Sequence, residues 1–247
     1  MRSLSGPPGR EVRVPPSIAA VAGGRPLVPV WQNALGGLTF QLGAGDGRLF
    51  AKWAPAGSGL DLAAEMTRLD WAGRFTPVPR VLDHGHEADG AWLVTRGLPG
   101  ESAVSPRWTA DPGTAVRALG VGLRALHERL PVADCPFSWS VAARLGRARS
   151  AGGGAPATLE EPVVDRLVVC HGDPCAPNTL LHADGSWSGH VDMGALGVAD
   201  RWADLAVATW STEWNYGPGW DGTLLDAYGI APDPERTAFY RRLWDLT

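Results

Sequence analysis

The chain has 247 residues, 45% of them hydrophobic and 12 of them tryptophan, enough for one large domain or two small lobes with a real core. Its 32 glycines and 21 prolines are many, yet fall short of a low-complexity or collagen-like composition. The formal charge of −4 is uneven: residues 161–247 hold 13 acids against five arginines, and residues 1–160 hold 13 acids against 17 bases, which argues against a nucleic-acid partner for the acidic third and leaves either a solvated acidic face or a site for a cationic ligand there.

Residues 1–16 carry charges and prolines but no apolar run, so no signal peptide is expected. The longest uncharged stretch, 26–45, is broken by Gln, Asn and glycines and does not read as a membrane span. Three cysteines form a sparse, odd set that fits free thiols in a reducing compartment, so the expected location is the cytoplasm. The 21 arginines leave a single lysine, Lys52, which is either a chance survivor of a base-composition bias or a position where a compact ammonium is needed.

In chain order, residues 1–25 read as a flexible, Pro/Gly-rich N-terminal segment. Strand-like runs follow at "RPLVPVW", "GLTFQL" and "RLFAKWA", the last two joined by the turn "GAGDG". "LDLAAEMTRLDWAG" reads as a helix with Leu62, Met66 and Leu69 on one face and Gly73 as its stop. "VPRVLDHG" and "AWLVTRG" complete a β-rich N-lobe over 26–95. Pro, Gly and Ser then break the pattern, placing a hinge and linker at 96–108. Residues 109–247 form a mainly helical C-lobe. Its first helix has Asp111 as N-cap, Pro112 at the first helical position, and Val116, Leu119, Leu123, Leu126 and Leu130 on one stripe. "SVAARLGRARS" reads as a second helix, "DRLVVCHGD" as a strand and "NTLLHADGSWSGHVDM" as a hairpin turning at Asp184-Gly185. "ADRWADLAVATWSTEW", "DGTLLDAYG" and "DPERTAFYRRLWDL" read as helices. The fold class is α+β, with two unequal lobes.

The chemistry concentrates in "HGDPCAPN". Two prolines stiffen the loop between Asp173 and Asn178. Asp192, read as the end of the hairpin's return strand, is brought near Asn178 by the pairing. Amide and carboxylate oxygens are hard ligands suited to Mg²⁺, which leaves Asp173 to orient or deprotonate a hydroxyl. A rival reading takes Cys170, His171 and Cys175 as zinc ligands. It is disfavoured, because adjacent strand residues point to opposite faces and no Cys-x-x-Cys pair exists. His171 then supports the loop. Lys52 on a strand and Glu65 on the next helix match a device in which a glutamate holds a lysine against nucleotide phosphates.

These segments, "FAKWAP", the helix with Glu65, "CHGDPCAPN" and "HVDMGALGVADRWADLA", resemble the aminoglycoside phosphotransferases, enzymes of protein-kinase-like two-lobe fold. The Pro-Cys-x-Pro loop and "FAKWAPA" look most similar to the streptomycin 3″-phosphotransferases. The resemblance implies an ATP-dependent small-molecule kinase that inactivates an aminoglycoside, acts as a monomer with Mg²⁺, and touches neither nucleic acid nor membrane. It implies that Asp173 is the catalytic base and that Asn178 and Asp192 hold the metal. Lys52, kept in place by Glu65, would meet ATP phosphates, while Thr95 and Gly97 would lie in the hinge against adenine. Glu213 and Asp245 would meet substrate amines or guanidines, and Arg201 and Asp204 would be structural, Asp204 bracing the loop. Alternatives are a 3′-phosphotransferase acting on kanamycin or neomycin, a kinase of another small cationic metabolite, and a catalytically silent nucleotide-binding scaffold. The Gly-rich stretch before the loop looks shorter than in relatives, which bears on which antibiotic fits.

Overall fold

The computed structural model describes residues 5–8, 12–150, 152 and 154–246. The chain divides into two units, one built from residues 1–74 and 78–98, the other from 75–77 and 99–247.

The first unit is organised around five antiparallel strands: β1 (Leu27–Gln32), β2 (Leu38–Leu42), β3 (Leu49–Pro55), β4 (Val81–Glu87) and β5 (Gly90–Arg96), in the order β1-β2-β3-β5-β4. Phe40, Ala51 and Val94 stand in one row across three strands and share one face of the sheet. That face packs on Ile18 and Ala22 of α1 (Pro16–Ala22). The helix corrects the reading of 1–25 as flexible. Pro16 fits the first helical turn, where its missing N–H is no loss, and Gly23 closes the helix in the left-handed conformation. Residues 1–4 and 9–11 of that segment lie outside the described residues.

Lys52 alternates with Ala51 and so takes the opposite face of β3, the face covered by α2 (Leu62–Ala72). The α2 helix is capped by Asp61, whose side chain accepts the Ala64 N–H at 2.8 Å. Its buried stripe runs through Glu65 and Leu69. A buried glutamate in an apolar stripe needs a cationic partner, and Lys52 supplies it.

The second unit is mainly helical: α3 (Pro106–Thr109), α4 (Pro112–Arg129), α5 (Val141–Ser150), α6 (Trp202–Tyr216), α7 (Asp221–Tyr228) and α8 (Pro234–Leu246). The α4 stripe of Val116, Leu119, Leu123 and Leu126 is buried as its period predicts. This helix lies against α7 and against the strands that carry the catalytic-type loop. Gly120 permits the approach to α7, since a Cβ there would sit 2.4 Å from the Leu224 carbonyl oxygen.

Short strands complete the unit. β6 (Glu101–Ser102), β8 (Thr179–Leu181) and β9 (Trp187–His190) form a three-stranded sheet, and β7 (Leu167–Cys170) pairs with β10 (Gly197–Asp200). Two features differ from the expectation. The stretch 96–108 is not all linker, since it contains β6 and α3. And "GVAD" is a strand, so the helix expected from Ala199 begins at Trp202, whose N–H donates to Asp200 Oδ1 at 2.9 Å. Residues 151 and 153 of the Gly-rich stretch lie outside the described residues. Among the described residues no helix is long and apolar enough to cross a membrane.

Candidate active site

In the first unit, Lys52 Nζ lies 2.6 Å from Glu65 Oε1, on side chains that are 24% and 7% exposed. The glutamate is locked in the core, whereas the lysine side chain stays partly exposed. Thr95 lies inside β5, between Phe50 of β3 and Val81 of β4, rather than in the connection between the units. Gly97 follows the strand, and its N–H donates to the Arg48 carbonyl at 3.0 Å. A side chain at Gly97 would meet Phe50 and Arg48 at 2.9 Å.

In the second unit the strand β7 is buried through Val168, Val169 and Cys170 and delivers His171 with no exposed surface. The chain then turns at Gly172, whose φ is +82° and where a Cβ would lie 2.3 Å from the Ala195 carbonyl oxygen. Only glycine tolerates both conditions. Asp173 and Pro174 follow, then a 3₁₀ turn over Ala176–Asn178 that runs into β8.

The loop is held from behind. Asp204, fully buried on α6, accepts the His171 N–H at 2.6 Å and the Gly172 N–H at 2.9 Å. Its Oδ2 also lies 3.0 Å from Nε2 of His127, a buried residue of α4 whose Nδ1 is 2.9 Å from the Tyr228 hydroxyl. Ser211 Oγ accepts the Ala176 N–H at 2.9 Å, and Trp139 donates its Nε1–H to the Gly172 carbonyl at 3.2 Å. His171 also braces the loop: Nδ1 accepts the Asp173 N–H at 3.2 Å, which leaves Nε2–H to donate to the Val191 carbonyl at 3.0 Å. Arg201 pairs with Asp165 at 2.6 Å, a structural contact.

The hairpin brings the second acid to the loop. Thr179 pairs with His190, and the Val191 N–H reaches the Asn178 carbonyl at 2.9 Å, extending the pairing by one step. Asp192 is the next residue. It does not end the strand, as the sequence reading has it, but sits two residues past it in the left-handed conformation (φ 63°, ψ 53°), the one non-glycine with positive φ among the described residues. Such a conformation costs on the order of 1–2 kcal/mol. Strain of this kind persists where surrounding structure imposes it.

Asp173 is the least satisfied of these groups. Its Oδ1 is buried with no hydrogen-bond partner. Burial, then the neighbouring Asp192 carboxylate, push its carboxyl above the ordinary value, against the pull of contacts with Cys175, His171 and Asn178. Asn178 Nδ2 donates to the Asp173 backbone carbonyl at 2.9 Å, which turns the amide oxygen of Asn178 away from that contact. The donor set of Asn178 amide oxygen and Asp192 carboxylate, beside an orphaned carboxylate oxygen, fits a hard divalent cation. Cationic charge there relieves the repulsion between the two acids.

The zinc alternative does not fit. Both ring nitrogens of His171 are engaged within the loop and leave it no lone pair for a metal. Glu213, on α6, lies 3.8 Å from Arg241 of α8, so its charge is partly answered within the chain. Asp245, on the last turn of α8, is exposed. His127, Ser211 and Trp139 escaped the sequence reading, because nothing in their local pattern marks residues that serve a loop tens of positions away.

Comparison with known proteins places this arrangement in a family. Residues 34–240 match the profile of the phosphotransferase enzyme family. Streptomycin 3″-kinase of Streptomyces griseus is 39% identical over 241 residues, covering 83% of this chain and 86% of that protein. An aminoglycoside 3′-phosphotransferase of Streptomyces fradiae is 37% identical, covering 84% and 90%. Among solved structures, the aminoglycoside phosphotransferase APH(3″)-Id of Streptomyces rimosus, in complex with ADP and streptomycin, superposes with a TM-score of 0.71 at 29% identity, covering 93% of this chain and 96% of that one.

Proposed function

The chain belongs to the phosphotransferase enzyme family, and from that premise we propose that it transfers the γ-phosphoryl group of ATP to an aminoglycoside, at the 3″-hydroxyl of streptomycin. The observation that carries the reading is the 39% identity with streptomycin 3″-kinase across 83% of the chain. The Asp173 loop lies within residues 34–240, the stretch that matches the family.

Each residue has a physical role in this account. Lys52, fixed by Glu65, offers an ammonium to nucleotide phosphates, and backbone groups at Thr95 and Gly97 would meet adenine. Asp173 orients the acceptor hydroxyl and takes its proton as the oxygen–phosphorus bond forms and the bond to ADP breaks. A transition state of loose character needs little proton removal early, so positioning dominates and a weak base suffices. Asn178 and Asp192 would hold Mg²⁺, which when bound neutralises phosphate charge. Glu213 and Asp245 stand on the acidic C-terminal third, where negative potential concentrates a polycationic acceptor. Three cysteines, with no disulfide among the described residues, support a reducing compartment such as the cytoplasm.

The 37% identity with a 3′-phosphotransferase favours a second reading, transfer to the 3′-hydroxyl of a kanamycin- or neomycin-like acceptor. ADP release measured with streptomycin, kanamycin and neomycin, followed by NMR location of the phosphate, separates the two. Streptomycin 3″-phosphate is the expected product. Turnover confined to kanamycin or neomycin selects the second reading, and no transfer to any of them contradicts both.

A further inference from the structure

The aim of Asp173 depends on the group that braces its loop. That group, Asp204, meets three donors with its two oxygens. Two are the backbone N–H groups of His171 and Gly172, which can only donate. The third, His127 Nε2 at 3.0 Å, donates only when the proton sits on that nitrogen and the ring is turned toward the carboxylate. Asp204 can draw the proton to Nε2, but it does not hold the ring. A half-turn about the Cβ–Cγ bond replaces Nε2 with Cε1 and Nδ1 with Cδ2, and leaves a carbon against the acid.

A second partner stands at the other nitrogen. His127 Nδ1 lies 2.9 Å from the hydroxyl of Tyr228, the last residue of α7. With Nε2–H given to Asp204, Nδ1 offers a lone pair, so the Tyr228 O–H is the donor. Burial pushes that hydroxyl up to about 12, so it carries its proton at neutral pH. Gly120, two turns before His127 on α4, lets α7 come this close, since a Cβ there would lie 3.0 Å from the Tyr228 backbone nitrogen. Tyr228, His127 and Asp204 are 5%, 4% and 0% exposed, so solvent does not replace a partner lost here. Cys170 lies near enough to His127 and Asp204 for the three to share a metal ion, but the His127 ring has no lone pair left to give.

Resting on the functional reading above, we propose that Tyr228 is a positioning residue for phosphoryl transfer: its O–H donates to His127 Nδ1, locks the ring against a half-turn with the proton on Nε2, and so completes the set of donors on the carboxylate that braces the Asp173 loop. Tyr228 meets neither nucleotide nor acceptor in this account. It acts through His127 and Asp204, and a residue of α7 thereby sets how firmly the reactive carboxylate is aimed.

The test uses the full chain with MgATP and streptomycin. Tyr228→Phe keeps the ring and loses only the hydroxyl. Its turnover is expected to fall about tenfold, the worth of one buried hydrogen bond, while KM for ATP and for streptomycin stay near the wild-type values. In a His127→Leu background, where there is no ring to hold, adding Tyr228→Phe is expected to change turnover by less than about twofold. An equal loss in both backgrounds shows that Tyr228 acts by packing and overturns the proposal. If the Leu variant does not fold, NMR of histidine-labelled protein decides: the wild-type His127 ring should carry its proton on Nε2 alone, and in Tyr228→Phe that proton should exchange with solvent about tenfold faster, in step with turnover. A wild-type ring protonated at Nδ1, or an Nε2 proton equally long-lived in both proteins, overturns the proposal. A folded Tyr228→Phe variant with wild-type turnover, beside an active wild type, overturns this inference alone. A wild type without transfer to any aminoglycoside overturns the functional reading and this inference with it.

Discussion

Asp204 and Asp173 stand on opposite sides of the same loop and are treated in opposite ways. Asp204 is fully buried, and its two oxygens meet the His171 and Gly172 amides and the His127 ring. Asp173 has a buried oxygen with no partner and a second acid pressing on it. Burial alone therefore does not tell a structural carboxylate from a reactive one. What separates them is saturation: a carboxylate whose acceptor capacity is filled holds shape, and one left short keeps a demand for a proton, a metal or a substrate hydroxyl.

That contrast can be broken from either side. The largest effect is expected on the saturated side. Asp204→Ala strips two loop amides and a buried histidine of their acceptor, and should cost about 3–5 kcal/mol of stability in urea denaturation, with turnover lost as the loop loosens. A variant of near wild-type stability contradicts the bracing role. Lys52→Met tests the other carboxylate that is satisfied by a partner, Glu65. KM for ATP should rise about tenfold to hundredfold, the worth of a hydrogen bond to a charged group, and the melting temperature should drop because Glu65 is left buried without its cation. An unchanged KM for ATP removes Lys52 from nucleotide binding.

The smallest effect sharpens the contrast, because Asp165 is satisfied but lies away from the loop. Asp165→Asn weakens its pairing with Arg201 and should cost about 1 kcal/mol with turnover unchanged. The hydrogen bond from Arg201 holds the Asp165 carboxyl below its usual range. Its contribution is thus complete above pH of about 3.9 and is lost as pH falls through the lower value in the folded protein. The difference in melting temperature between wild type and variant should close in acid; a difference that persists at low pH contradicts the ion-pair account.

Much of this was legible in the sequence where the cause is local. The Asp111-Pro112 start and the 3–4 spacing of Val116 to Leu126 give α4 its bounds and its buried face. Asp184-Gly185 fixes the hairpin, and with it the approach of Asp192 to Asn178. Other features have causes that are not local. The four residues of β10 are a strand only because β7 pairs with them from some thirty positions earlier. The α1 helix carried its own signals, Pro16 and Gly23, but they were hidden in a Pro/Gly-rich context that reads as loose chain. Aspartate enters the left-handed conformation more readily than most residues but only as a minority, so residue type alone does not announce the turn at Asp192. The brace formed by His127, Asp204 and Ser211 joins positions up to 84 apart, from His127 to Ser211, and only the packing of α4 and α6 brings them to one loop.

The most direct measurement is the turnover of Asp173→Asn set beside its ADP affinity and its melting temperature. The substitution keeps shape and removes the charge that the unsatisfied oxygen carries. Turnover with streptomycin should fall by a factor of about 10²–10⁴, with ADP binding intact and stability unchanged or improved, since a strained acid is gone. Turnover close to that of the wild type would show that the unpartnered carboxylate is not the group that meets the acceptor hydroxyl.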